Sequence, residues 1–113
     1  MSEFVFLYRN GDTSPRSPEQ QQKIMQEWGT WMKGLGAKGH LKEAGHPLEA
    51  PGSVVRGGGK ASTDGPYAEK DMVSGFSVVE AKDLAHASEL AAGCPIFNAG
   101  GVVEVRPILK MSR

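Results

Sequence analysis

Between residues 63 and 69 the chain reads TDGPYAE, a run that gathers two carboxylates and a phenol, Asp64, Tyr67 and Glu69. A carboxyl group drawn partly out of water titrates higher than usual, toward the range where it can move a proton in a reaction. Asp64 is the candidate base for such chemistry, Glu69 its candidate companion, and Tyr67 a candidate ligand contact. Asp64 can also accept backbone N–H bonds in an Asx turn, with Gly65 and Pro66 fixing the bend. The residues leave both roles open. Arg56 and Arg106 are candidate anchors for a small organic acid, because a guanidinium grips a carboxylate through two parallel hydrogen bonds. Arg106 shares a strand face with Glu104 and can equally pair with it. Trp28, close to Trp31, can wall a ligand pocket or pack in the core. The two roles are compatible, since pockets are lined mainly by apolar and aromatic groups.

Other chemistries lack their spacing. GLGAKG, 34–39, matches G-x-G-x-x-G, but it follows an amphipathic helix instead of a strand, so no helix N-terminus would meet a pyrophosphate. GGGKAS, 57–62, fails as a phosphate-binding loop at two places, where Val54 and Ala61 stand for the required glycine and Ser/Thr. His40, His46 and His86 show no metal-ligand spacing, and Cys94 is the only cysteine, so we expect neither a metal nor a cofactor.

The totals narrow the setting. A chain of 113 residues suits one domain, 1–113. Basic and acidic residues balance at 13 each, which argues against a partner held by phosphate neutralisation, such as nucleic acid. No apolar run approaches the roughly 18 residues of a membrane span. In MSEFVFLYRNGD the only basic residue, Arg9, follows the apolar run, the reverse of a secretory signal. A lone cysteine forms no internal disulfide and fits a reducing compartment. The expectation is a cytoplasmic protein with no membrane contact.

These candidates need elements to hold them. EFVFLYR, 3–9, predicts a strand with Phe4, Phe6 and Tyr8 on one face and Val5 and Leu7 on the other. Ser17 is placed to cap a helix, with Pro18 in its first turn and Gln20 closing a capping box. Ile24, Trp28, Trp31, Met32 and Leu35 form its buried stripe, and glycines 34, 36 and 39 predict its end. Short strands are expected at 40–42 and 53–56. A strand follows at 72–81, then a helix capped by Asp83 and ending at Gly93, then a closing strand within 100–109. This order predicts an α+β fold of the ferredoxin-like split βαβ kind: a four-stranded antiparallel sheet with two helices on one face. The first strand is apolar on both faces, so a homodimer is expected to cover the second.

Three stretches carry a family resemblance: TDGPYAEKDMVSGFSVVEA at 63–81, AAGCPIF at 91–97 and GGVVEVRPI at 100–108. Together they resemble the YCII-related family, in its DGPF-domain branch; WGTWM at 28–32 is similar to one subgroup. The resemblance implies a dimeric α+β barrel, with relatives among muconolactone isomerase-like enzymes. Most DGPF-type members have no established activity, and many are encoded beside extracytoplasmic-function sigma factors. This chain departs from the pattern: Tyr67 replaces a phenylalanine, and Trp28 stands where the YciI-like branch carries the histidine of a suggested His/Asp acid–base couple. That couple is not carried over. The functional expectation is a small-molecule site near the DGPY turn, with acid–base chemistry on a small organic acid. The alternative is a non-catalytic regulatory or interaction protein, for example one linked to a sigma factor.

Overall fold

The computed structural model describes residues 1–12, 14–49, 51–55, 57–58, 61–62 and 72–110. The elements run β1 (Ser2–Arg9), α1 (Pro18–Ala37), β2 (Leu41–Pro47), β3 (Val54–Val55), β4 (Ala61–Ser62), β5 (Val73–Ala81), α2 (Leu84–Ala91), a 3₁₀ turn (Pro95–Ala99) and β6 (Val102–Pro107). Four strands make one antiparallel sheet in the order β2-β5-β1-β6, and β3 and β4 pair separately. Both helices pack on one face, which is the ferredoxin-like split βαβ arrangement.

Alternation along β1 builds the core. Phe4, Phe6 and Tyr8 are buried beneath the helices, whereas Val5 and Leu7 face the other way and remain partly exposed. β5 repeats this parity, with Ser77, Val79 and Ala81 inward and Phe76 and Val78 outward. α2 presents Ala87 and Ala91 to the sheet, so small side chains let it sit close. From α1 come Leu35, buried, and Trp28, Trp31 and Met32, partly buried against the same core. Trp31 stacks on Phe6 at 6.1 Å.

Both helix starts follow their capping signals. The Gln20 amide N–H donates to Ser17 Oγ, and the Ser17 N–H donates to Gln20 Oε1. The His86 N–H donates to Asp83 Oδ1 at 2.8 Å. Each bond satisfies a donor that the first turn of a helix leaves open.

α1 runs through Gly34 and Gly36 to Ala37 and ends within the glycine-rich stretch 34–39 that predicts its end. Buried Leu35 anchors that last turn, and the helix ends only before Gly39, whose positive φ of 77° turns the chain. One expectation needs correction: the strand expected at 40–42 extends to Pro47. Its alternation is disguised by two register shifts against β5, one between Leu41 and Glu43 and one between Glu43 and His46. Gly45 sits in the second, with φ +74°; a side chain there would run into the Phe76 carbonyl, so this bulge requires glycine.

Candidate functional site

The clearest cavity lies between α1 and the end of the sheet where β2, β5 and β1 meet. Its volume is about 440 Å³, within the range of small-molecule sites. Ile24, Met25, Trp28 and Met32 of α1 form one wall, and Tyr8, Pro47 and Gly75 belong to the opposite side. Two glycines shape it. At Gly75 a Cβ would press on the His46 carbonyl oxygen at 3.1 Å and the Pro47 Cα at 3.3 Å, so glycine allows β2 to approach β5 closely. At Gly29 a Cβ would meet nothing within 4 Å, so α1 leaves space where other residues would fill it. Trp28 sits edge-on to the Tyr8 ring, 4.9 Å between centroids, a favourable arrangement for two aromatic rings.

Tyr8 is fixed by a buried chain of hydrogen bonds. Its hydroxyl donates to Ser77 Oγ at 2.8 Å, and Ser77 Oγ donates to the Ala44 carbonyl at 2.7 Å. Ser77 is thus a core serine whose polar atom joins the Tyr8 phenol to the bulged strand. Ser74 Oγ, also on the cavity wall, donates to the Tyr8 carbonyl at 3.2 Å. Burial pushes the Tyr8 phenol far above its ordinary value, outweighing the opposing effect of Ser77. At neutral pH Tyr8 is a protonated phenol and cannot serve as a phenolate base. This chain of bonds joins Tyr8 and Ser77 across 69 residues, beyond the reach of local pattern. The one available signal was a serine at a core-facing position of an otherwise apolar strand.

On the other side of Trp28 lies a second, more polar groove of about 340 Å³, which shares Ile24, Trp28 and Ser74 with the first. It holds Asp12, Arg16 and Glu27. Asp12 accepts from the Ser14 N–H at 2.9 Å and the Ser14 hydroxyl at 2.6 Å, and these bonds hold its carboxyl below the usual range. Arg16 Nη2 donates to the Asp12 carbonyl at 2.6 Å. Two carboxylates against one guanidinium give this groove no cationic bias.

Of the residues singled out from sequence, Trp28 stands on the cavity wall. Arg106 does not join it. Its register partner is Val5, on the face of the sheet away from the helices, and it is exposed there. Glu104, its neighbour on that face, bonds to Arg9 Nε at 2.8 Å. Arg56, Asp64, Tyr67 and Glu69 lie outside the described residues. The Met72 carbonyl, two positions before Ser74 on the cavity wall, accepts from the Asn10 N–H at 3.4 Å.

The other reactive groups are quiet. Cys94 is buried, and desolvation pushes its thiol up to about 11, so it is not a thiolate at neutral pH. His40 and His86 stand edge to face at 5.0 Å, but each has a ring nitrogen bonded to backbone, His40 Nδ1 with the Glu80 carbonyl and His86 Nδ1 with the Lys82 N–H. Among the described residues, no three His, Cys, Asp or Glu side chains gather as metal ligands, and no helix is long and apolar enough to cross a membrane.

The family model described as the YCII-related domain matches residues 3–112, nearly the whole chain. No curated protein matches it.

Proposed function

The chain belongs to the YCII-related family, and we propose that as a member of it the protein binds a small molecule in the cavity beneath Trp28. The observation that carries this is a cavity of about 440 Å³ walled by Ile24, Trp28 and Met32 of α1 against Tyr8 and Gly75, at the end of the sheet where the chain enters β5. A soluble fold rarely leaves aromatic and thioether groups around a void without a use for it.

Asp64 and Glu69 are the proposed acid–base groups. A carboxylate in the ligand would call on Arg56, because Arg106 stands on the opposite face of the sheet. That opposite face supports a second proposal, a homodimer. Val5, Leu7, Phe76 and Val78 form an apolar centre there that no described helix covers, and a second copy offers a matching surface. A free, buried Cys94 suits a cytoplasmic location.

The test is a thermal-shift screen of small organic acids and uncharged compounds on the wild type and on Asp64→Asn, with product analysis by mass spectrometry. We expect at least one compound to raise the wild-type Tm, and a smaller rise in the variant. Equal shifts in the two proteins remove Asp64 from the site. Binding without product makes the protein a binder, not an enzyme.

A further inference from the structure

The cavity beneath Trp28 has a chemical bias that narrows its ligand. None of its described lining residues is an Asp, Glu, Lys or Arg, and His46 is the one imidazole among them. Its hydroxyl donors are already engaged: Tyr8 with Ser77, and Ser74 with the Tyr8 carbonyl. Arg16 lines the neighbouring groove on the other side of Trp28, accompanied there by Asp12 and Glu27, and does not line this cavity. A carboxylate moved into such surroundings loses its water and meets no lysine or arginine among the described lining residues, which is unfavourable. A ring, by contrast, gains contact with an indole face or edge and with two polarisable thioethers.

We propose that this cavity takes an uncharged, ring-bearing apolar compound of about two fused rings, and discriminates against the corresponding carboxylate. The inference rests on the small-molecule site proposed above and names its class. Met25, Gly29 and Met32 lie at steps of four and three along α1, so they form one edge of the helix over the void. Gly29 is the gap in that edge. Gly29 is exposed and borders the cavity, so a large side chain there would stand at the cavity's open edge and hinder entry of a ring.

The experiment compares 2-acetylnaphthalene with 2-naphthoate, which are close in shape and differ in charge, by calorimetric titration of the full chain. Two variants accompany the wild type. Gly29→Leu places a large side chain at the cavity's open edge. Gly36→Leu makes the same change on the same helix where a Cβ also meets nothing within 4 Å, away from the cavity lining. Both replace a helix-interior glycine, so both are expected to fold at least as stably as the wild type. We expect the ketone to bind at least tenfold more tightly than the carboxylate, Gly29→Leu to weaken it at least tenfold, and Gly36→Leu to leave it unchanged. Equal or tighter binding of 2-naphthoate overturns the uncharged class but leaves a small-molecule site standing. Ketone binding that survives Gly29→Leu places the ring elsewhere and overturns the assignment to this cavity. Binding of neither compound overturns both the class and the cavity, and the small-molecule function then depends on the organic-acid screen alone.

Discussion

The two faces of the sheet are built from alternate residues of the same strands, yet they solve different problems. On the helix side, Phe6, Ser77 and Val79 are fully buried, and the one polar group among them has both a donor and an acceptor partner. On the other side, Val5, Leu7, Phe76 and Val78 stay partly exposed, and charges gather around them: Arg9 with Glu104, and Lys42 with Glu3 and Glu80. The first face is a finished core that tolerates no unpaired polarity. The second has an apolar middle and an ion-paired margin, the anatomy of a surface that meets another protein.

The sharpest test compares neighbours. Phe6→Ala should destabilise the chain by about 3–5 kcal/mol, because it opens a cavity in a fully buried site. Leu7→Ala, one residue along, should cost less than half of that at low concentration. Urea melts of both variants check this, and equal losses would erase the distinction between the faces. Next comes Ser77→Ala, at about 1–3 kcal/mol, since it leaves the buried Tyr8 hydroxyl without its acceptor. Adding Tyr8→Phe should cost less than its own single change, and a double-mutant cycle reads that coupling.

Alkaline pH probes the same core. Cys94, ordinarily near 9.0, is pushed up to about 11 by burial, and Tyr8 is raised well above its ordinary 10.0. Both are neutral when protonated and hold their protons more tightly in the folded chain. Their contribution is therefore complete below about pH 9 and is lost as pH rises through the folded values. The Tm should stay level between pH 7 and 8.5 and fall beyond 9, with Cys94→Ala delaying the onset. Leu7→Lys, on the open face, should change the stability of the isolated chain by only about 0.5 kcal/mol. It should also lower the mass seen by light scattering if two copies meet there; an unchanged dimer mass would exclude that face. The smallest effect belongs to Glu104→Gln, under about 1 kcal/mol, because its pair with Arg9 is partly exposed.

Much of this fold was legible because local signals and strand parity agree. Ser17 and Gln20, Asp83, and the alternation in β1 and β5 each acted where the residues suggested. β2 was read short because two bulges break its period, and period is what reveals a strand. The end of α1 was legible in the glycines at 34, 36 and 39, and buried Leu35 holds the last turn as far as Ala37. Trp28 was visible as an aromatic at helical spacing. The cavity beside it was not, since it depends on what Gly29 and Gly75 lack, and an absent side chain leaves no pattern. Arg106 could be placed on a strand face with Glu104, but the sequence did not say that this face is turned away from Trp28.

The kink at Gly45 has a meaning beyond β2 itself. β2 forms one border of the sheet, where unpaired backbone groups invite another strand to add on and the next after it. With two register shifts in seven residues, this border offers no straight ladder for a newcomer to copy. Growth by strand addition is blocked at that side, while the broad apolar face remains open to a single facing copy. Were two copies to meet across that face, their association would complete itself as a pair instead of running on as a filament.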